Sequence, residues 1–588
     1  MLHRTDLYSG QEPAVPVEAS TILTPGEMKK DIDFFFNTIV KVHVNIYAFV
    51  TKETMDERKN QLYKLCSKPM KAIDFNRYMC RLNDMFDGHT SVSFDYDQEL
   101  NNYDGFFPLP VDIVGGEMYL LDGNGTKKGR ILSINQVQSS DIYNKIININ
   151  EINAASELRV SPRFSQSLYI QTDIQAPYSV VTENGTTVLE GVPMKDVKKM
   201  PSGFDRQTPV TFRMYPEKSI AIIDYNSCFF GLDEAMQNQL NTWFDRQFRE
   251  IADKKIKTLF IDISRNGGGY TDNNDHLFKR IKHDDTIRLT YAVQKQYDPY
   301  VEDGKKELGY MRSDTFTNIT LPNRTGFDGN IYLIQGYGSY SAAIDVAEWM
   351  KELDKAKNIG EQTGQATAVY IDMAGFKLPK SQIYFGCAYK YWKALPDGRE
   401  DQGVLPDASV KLDYSKSKYE LTDLLSFLHQ IDPELSSGPE EFPKGTKLMV
   451  KNATASDHQP NENIDKALDG NFYTRYHSPW RKSVVYPVVL TFDFEEQPQI
   501  DYFIHYPRTD IINGLFGKVE IWASTKSSPE LEKIATHDFH ESNAPSCFQF
   551  PRSLEDPLTI ELRVMSSASL DDDIKRVSCM EIEFYKKE

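Results

Sequence analysis

Apolar positions along this chain recur with two different periods, and the switches between them divide it. Phe34, Phe35, Phe36, Ile39, Val40 and Val44, then Phe75, Tyr78, Met79, Leu82, Met85 and Phe86, keep helical spacing. Residues 25–104 therefore predict an N-terminal helical cap. Residues 105–215 are rich in strand-like runs and predict a β-rich subdomain. Beyond Ser219 strands and helices alternate. The spacing predicts strands over 220–225, 258–263 and 331–334. It predicts one helix on the stripe Met236, Leu240, Trp243, Phe244, Phe248 and Ile251, and another over 342–353. Such alternation implies an α/β core over 216–432 with a crossover-connected sheet, whose site lies at the C-terminal ends of the strands. A polar linker at 436–441 precedes residues 445–588, where short strands predict a β-sandwich. Residues 1–24 read as a disordered stretch or tail.

Candidate chemistry sits where strands meet turns. Gly338-Ser339-Tyr340-Ser341-Ala342-Ala343 lies between a predicted strand and a predicted helix. A hydroxyl at a helix N-terminus meets free backbone N–H groups and a favourable dipole, the environment that an oxyanion needs. Serine is equally a preferred helix cap, so the segment alone leaves both roles open. Arg265-Asn266-Gly267-Gly268-Gly269 ends another strand. Its unscreened N–H groups suit either an ordinary turn or an anion nest. In Asp87-Gly88-His89-Thr90 a histidine follows a helix end, free to face a cleft or simply to lie in the surface or core.

Composition narrows the classes. A 588-residue chain with 40% hydrophobic and 26% charged residues is ordinary globular material, about four domains at roughly 150 residues each. A formal net charge of −18 and the lack of basic stripes exclude nucleic acid as a partner. No apolar run is long enough to span a bilayer. Cys66, Cys80, Cys228, Cys387, Cys547 and Cys579 lack metal-ligand spacing. Cys547 and Cys579 are left open as a pair or as isolated thiols. The first residues lack the pattern of an export signal.

Taken together, the Ser341, Gly267–Gly269 and His89 segments resemble the C-terminal processing (tail-specific) serine peptidases, on their tricorn-core and interphotoreceptor-retinoid-binding-protein-like branch. His43-Val44-Asn45-Ile46-Tyr47, Gly360-Glu361-Gln362-Thr363-Gly364 and Gly403-Val404-Leu405-Pro406-Asp407 extend the likeness over about residues 24–428, in the expected order. The resemblance implies a core of crotonase-like (ClpP/crotonase) type and a serine peptidase with no catalytic cofactor. The tail-specific lysine is absent, because the turn continues Gln365-Ala366-Thr367. The tricorn-like pattern then implies Ser341 as nucleophile, His89 as base and Asp401 as acid, with Glu400 the nearby alternative. Gly267 or Gly268, with Ala342, would supply the oxyanion donors. Two departures stand out: Gly88 replaces a serine of that branch, and Asp401 stands where it favours glutamate. The stretch 128–135 also resembles the PDZ-type inserts of these peptidases; a PDZ remnant or an unrelated β-subdomain are the alternatives.

Residues 445–588 resemble the discoidin-like, galactose-binding-like carbohydrate-binding modules, a jelly-roll sandwich. The likeness rests on Ala453-Thr454-Ala455-Ser456-Asp457, Ala467-Leu468-Asp469-Gly470-Asn471, Tyr506-Pro507-Arg508, Asn513-Gly514 and Met580-Glu581-Ile582-Glu583-Phe584. It implies a structural Ca²⁺ at Asp469, Asn471, Thr474 and Glu581, since hard cations take oxygen ligands. A tight Asp-Gly turn without metal is the alternative. It also implies sugar binding by His477, Arg508 and Asn513, with Trp480 or Phe516 as the stacking platform.

The expected function is a serine endopeptidase acting on peptides or proteins and directed to glycans or glycoproteins. Its expected place is secreted, periplasmic or at the cell surface, with an export signal lying outside this sequence. The alternatives are a catalytically impaired relative that binds peptides, hydrophobic ligands or glycans, and an adhesion or scaffold protein.

Overall fold

The computed structural model describes residues 17–96, 100, 103–200, 203–204, 208–284, 286–297, 309–320, 323–353, 356–395, 398–433, 441–497, 499–569 and 574–588. The chain begins with α1 (Pro25–Val42), α2 (Lys52–Leu65) and α3 (Ala72–Cys80). Thr24 and Glu27 form a reciprocal capping box at the start of α1, and Pro25 occupies the first turn, where its missing N–H costs nothing. Part of the expected tail is structured: Ile22–Leu23 pairs with Met70–Lys71, and Leu23 is buried. The hydrophobic side chain of Leu23 is what ties this segment down. The rest of that tail, residues 1–16, lies outside the described residues.

After β1 (Ser91–Val92) comes a sheet of β2 (Val111–Val114), β3 (Glu117–Leu121), β4 (Lys127–Ile134), β5 (Tyr178–Thr182) and β6 (Gly185–Leu189), paired antiparallel in that order. Between β4 and β5 run α4 (Ser139–Ile146), α5 (Asn153–Val160) and α6 (Phe164–Gln171). The last strand expected here belongs elsewhere. β7 (Val210–Tyr215) is the antiparallel edge of the next sheet, paired with β8 (Ile220–Tyr225). The reason is local: a tight turn over 216–218 ends at Ser219 in the left-handed region (φ 57°) and folds the two apolar runs together.

The chain then continues through α7 (Glu234–Asp253), β9 (Thr258–Asp262), β10 (Thr286–Lys295), β11 (Met311–Thr320), β12 (Asn330–Gln335), α8 (Ala342–Lys351) and β13 (Ala356–Gly360). After these come β14 (Ala368–Lys377), β15 (Tyr384–Leu395), β16 (Ala408–Ser409) and α9 (Leu421–Ile431). The central sheet has the order β7-β8-β9-β12-β13-β16, parallel from β8 onward. Its strands are apolar on both faces, as a helix-covered parallel sheet requires. Ala221, Ile223, Leu259, Ile261, Ile331 and Leu333 pack with α7 and α8, whereas Ile220, Ile222, Phe260, Tyr332 and Ile334 pack with α9. Truncating one of these fully buried chains, Leu333→Ala, would cost about 2–5 kcal/mol.

A second sheet, absent from the sequence-based reading, has the order β11-β10-β15-β14. Short β1 adds to it through Val92 against Phe385 and Ser91 against Gly386. Phe376 and Phe385 pack into the apolar cluster of α1 and α3. This sheet is therefore what holds the His89 loop, just before β1, against the core.

Residues 445–588 form a two-sheet sandwich. Its strands are β17 (Gly445–Lys447), β18 (Asn452–Ala455), β19 (Val488–Asp493), β20 (Gln499–Tyr506), β21 (Lys518–Thr525), β22 (Glu532–Asp538), β23 (Ser546–Glu555), β24 (Pro557–Val564) and β25 (Glu581–Lys587). The sheets run β17-β25-β20-β23 and β18-β19-β24-β21-β22. Met214 on edge strand β7 exchanges hydrogen bonds with Asn543 (3.0 and 3.1 Å), and Ile512, Leu515 and Ala568 join the core cluster of the central sheet. The sandwich thereby covers an otherwise open sheet edge. All six cysteines are free, Cys547 and Cys579 included.

Candidate active site

Ser341 follows β12 and directly precedes α8. Its backbone stands at φ 52°, ψ −126°, and its side chain makes no capping bond to the helix. A non-glycine residue held in that region is strained and persists only where its surroundings enforce it. The constraint is visible: Tyr340 N–H donates to Asn266 O (2.9 Å), and Ser341 N–H donates to Gln365 Oε1 (2.8 Å). Ser339 is different. It is fully buried, donates to Ile263 O (2.8 Å) and accepts from Gly336 N–H, so it is a structural hydroxyl. Of the two serines, Ser341 alone opens into a cavity of about 620 Å³.

The glycine turn after β9 lies against this serine. Gly268 has φ 95°, and a Cβ there would come within 2.6 Å of the Ser341 Cβ. Only glycine fits both the conformation and the space. Its N–H, however, donates to Asn266 Oδ1 (2.8 Å) and is committed within the turn. Gly267 is exposed, while Ala342 supplies the first N–H of α8, which has no carbonyl four residues back to bond within the helix. Of the expected oxyanion donors, Gly267 and Ala342 thus suit the role better than Gly268.

His89 arrives from the N-terminal region. Its backbone N–H donates to Asp87 Oδ1 (2.8 Å), whose other oxygen faces His43 Nε2 (3.0 Å). Burial works to raise the Asp87 carboxyl, but the His43 hydrogen bond and charge, the His89 charge and the Thr90 hydroxyl outweigh it and leave it below the usual carboxylate range. Asp87 so anchors the histidine loop through the main chain. The His89 ring stacks on Tyr340 (5.5 Å between centroids) and meets Gln365 Nε2 through Nδ1 at 3.4 Å. Tyr340 in turn donates to Glu151 Oε1 (2.6 Å). A side chain at Gly88 would collide with both Tyr340 and Glu151, which accounts for glycine at that position.

One amide therefore touches both partners: Gln365 holds the Ser341 main chain with its oxygen and the His89 ring with its nitrogen. No direct hydrogen bond joins the Ser341 hydroxyl to the His89 ring among the described residues. Sequence reasoning did not assign Gln365 a role. Its signal was present, since it opens the stretch where the tail-specific lysine is missing.

The expected acid is not brought to the histidine. Asp401 is 72% exposed and forms a two-pronged pair with Arg399 (2.9 and 3.0 Å), whose hydrogen bond holds its carboxyl below the usual range. A guanidinium two residues away is the nearer and geometrically better partner for a carboxylate in water. Glu400, the alternative, accepts from Tyr391 Oη (2.7 Å) and lines a small cavity with Gly88, Tyr340 and Gln365.

In the sandwich, the expected sugar-binding residues are mostly enclosed. Arg508 is only 5% exposed and is paired with Asp510 (2.7 and 2.8 Å), with Asn513 O at 3.5 Å. Asn513 and His477 are also buried, and His477 Nδ1 bonds Ser478 O. Burial, chiefly, lowers the His477 imidazole. Phe516 cannot serve as a platform, because it lies in the core stacked on His505. Trp480 is 48% exposed, with its indole N–H held by Glu462 (2.9 Å).

The calcium expectation meets a fitting donor set. Glu581 is completely buried, both carboxylate oxygens lack hydrogen-bond partners, and burial together with the charge of Asp469 pushes it up to about 7. A buried acid, Glu581, facing the carboxylate of the more exposed Asp469 is an arrangement that a hard cation would relieve. Thr474 Oγ1 lies 2.9 Å from both Asp469 oxygens, and Asn471 N–H donates to Asp469 (3.0 Å).

Residues 220–410 match the model of peptidase family S41. No curated protein matches the chain. Among solved structures, mature CPAF complexed with lactacystin is 11% identical, with 70% of this chain and 99% of that one covered and a TM-score of 0.45. The photosystem II D1 C-terminal processing protease is 13% identical, over 65% of this chain and 93% of that one, at 0.33. The family 32 carbohydrate-binding module of Clostridium perfringens NanJ, in complex with galactose, is 21% identical, over 23% and 93%, at 0.21. No helix among the described residues is long and apolar enough to cross a membrane.

Proposed function

We propose that this protein is a serine endopeptidase working through Ser341 and His89. The observation that carries the reading is the strained, non-capping Ser341 at the mouth of a cavity, fastened by Gln365 to the segment that meets His89. Ser341 Oγ attacks the substrate carbonyl carbon while the imidazole takes its proton. The N–H groups of Ala342 and Gly267 stabilise the oxyanion. Collapse of the intermediate breaks the C–N bond, and the imidazolium returns the proton to the departing amine. Water then hydrolyses the acyl-enzyme by the same route. Gln365 positions both groups, and Glu400 takes the acid role first assigned to Asp401. We read the helix-flanked sheet as a crotonase-like core and α1 to α3 as its cap.

In this reading the sandwich binds structural Ca²⁺ through Asp469, Asn471, Thr474 and Glu581, and it engages sugar at the exposed Trp480. Sugar and calcium are both plentiful outside the cell, which supports an exported enzyme. Fluorophosphonate labelling is the test: wild type should label and Ser341→Ala should not. Equal labelling of the two ends the peptidase reading. A second reading, an impaired relative that binds peptide without cleaving it, is favoured by one observation: the His89 ring meets Gln365 rather than the serine hydroxyl. It predicts peptide binding with no labelling.

A further inference from the structure

The two N–H groups assigned to the oxyanion belong to different elements. Gly267 lies in the turn after β9, and Ala342 is the first residue of α8. Neither N–H has a hydrogen-bond partner among the described residues. Two donors serve one oxygen only when both aim at the same point, so the turn must be fixed against the helix.

That tie runs through one side chain outside the site, Tyr225, the last residue of β8. Its ring is fully buried and stands edge-on to Phe244 of α7 (6.4 Å between centroids), which sets the direction of its hydroxyl. Asn266 Nδ2 donates to the Tyr225 carbonyl (2.8 Å), while Asn266 Oδ1 accepts from Gly268 N–H (2.8 Å). The Tyr225 hydroxyl donates to Asn274 Oδ1 (2.9 Å), and Asn274 Nδ2 donates to the Ala342 carbonyl (3.0 Å). Both asparagines are buried. A main-chain carbonyl can only accept, so it takes the NH₂ end of Asn274 and the hydroxyl takes the oxygen; the amide has one useful orientation. The glycine turn has further ties of its own: Cys228 N–H donates to Gly268 O (3.0 Å), and Tyr270 N–H to Cys228 O (2.9 Å). The Tyr225 hydroxyl is therefore not what forms the turn. It adds a tie from this segment to α8, beside the bond from Tyr340 N–H to Asn266 O.

We propose that Tyr225 is a positioning residue for the oxyanion site, acting through Asn266 and Asn274 to set the Gly267 and Ala342 N–H groups against each other. The inference rests on the peptidase reading. Without the hydroxyl, Asn274 is free to turn its amide away from the Ala342 carbonyl, and the start of α8 loses its register with the glycine turn. The loss falls on the state in which the oxygen carries charge, and much less on the bound ground state.

The experiment follows the rate of fluorophosphonate labelling of the full-length protein against probe concentration. Ser341 Oγ displaces fluoride from phosphorus, and the phosphoryl oxygen sits where the oxyanion would. Tyr225→Phe is expected to lower the limiting rate about 10-fold, less than the roughly 10²–10³ for removing a donor outright. The probe concentration at half the limiting rate should stay within about 2-fold, because ground-state binding is untouched. The final labelled fraction and the melting temperature should match wild type. Asn274→Asp keeps an acceptor for the hydroxyl but offers the Ala342 carbonyl no N–H; it should slow labelling at least as much, and it serves if Tyr225→Phe folds poorly. A limiting rate equal to wild type in both variants overturns the proposal. So does a lower labelled fraction or melting temperature with that rate unchanged, which is the mark of a purely structural role. A wild type that does not label removes the peptidase reading and the proposal with it, whereas a labelled wild type with equally fast variants removes the proposal alone.

Discussion

The Ser341 site and the sandwich site treat their polar groups in opposite ways. Around Ser341, segments distant in sequence converge, and the strained main chain is held by donors and acceptors that leave the serine at a cavity mouth. In the sandwich, Arg508 and His477 satisfy themselves within their own loops, and Glu581 stands buried without a partner. A group already satisfied and enclosed has little to offer a ligand; a strained or orphaned one marks where something else is expected.

The sharpest way to break the contrast is at the histidine. His89→Ala should lower kcat/KM about 10³-fold, within the roughly 10²–10⁴ range for a general base, with the melting temperature unchanged. A smaller loss would remove His89 from the chemistry. Gly268→Ala comes next. The φ of 95° and the approach to Ser341 should cost about 1–3 kcal/mol of stability. Labelling should be lost along with it, and retention of both would show the turn to be tolerant.

On the sandwich side, calcium should raise the melting temperature of wild type and not of Glu581→Gln; about 2.7 kcal/mol is expected at 100-fold excess over Kd. No shift in wild type would leave Glu581 as strain alone. His505 gives the pH arm of the comparison. Burial, with a smaller contribution from the His537 charge, holds its imidazole down at about 3, against an ordinary 6.5. A depressed folded-state value means that stability is whole above pH 6.5 and falls as the pH drops toward 3, by about 1.4 kcal/mol per pH unit. Thermal melts of His505→Phe should show a shallower acid slope, and identical slopes would deny the effect. Smallest of all, Asp401→Asn should change kcat/KM less than about 2-fold, because an exposed pair with Arg399 is worth little. A 100-fold loss would restore Asp401 as the acid.

Much of the core was legible because its signals are local. A β-branched run ending in three glycines, and a small-residue turn before an amphipathic helix, announce strand ends from sequence alone. What lay beyond reach depended on direction. Glu400 and Asp401 are neighbours, so nothing in their order says which faces the cleft; Arg399 was the only hint. Gln365 was noticed as the absence of a lysine rather than as an amide with two useful ends. The second sheet went unread because its hairpins are joined only at long range: β15 bonds β10 near one end and β1, beside the His89 loop, near the other. Burial of Arg508 and Phe516 is likewise a property of packing, invisible in a motif.

Gln365 has one more implication. Its oxygen is committed to the Ser341 amide, so its NH₂ end must face the ring, and the Nδ1 it approaches is then unprotonated, leaving the hydrogen on Nε2. The resting imidazole therefore has a single lone pair, and the glutamine guards it. In the mechanism proposed above, Gln365 keeps its oxygen on Ser341 while its NH₂ end releases the ring as substrate arrives, so substrate binding itself would free the base.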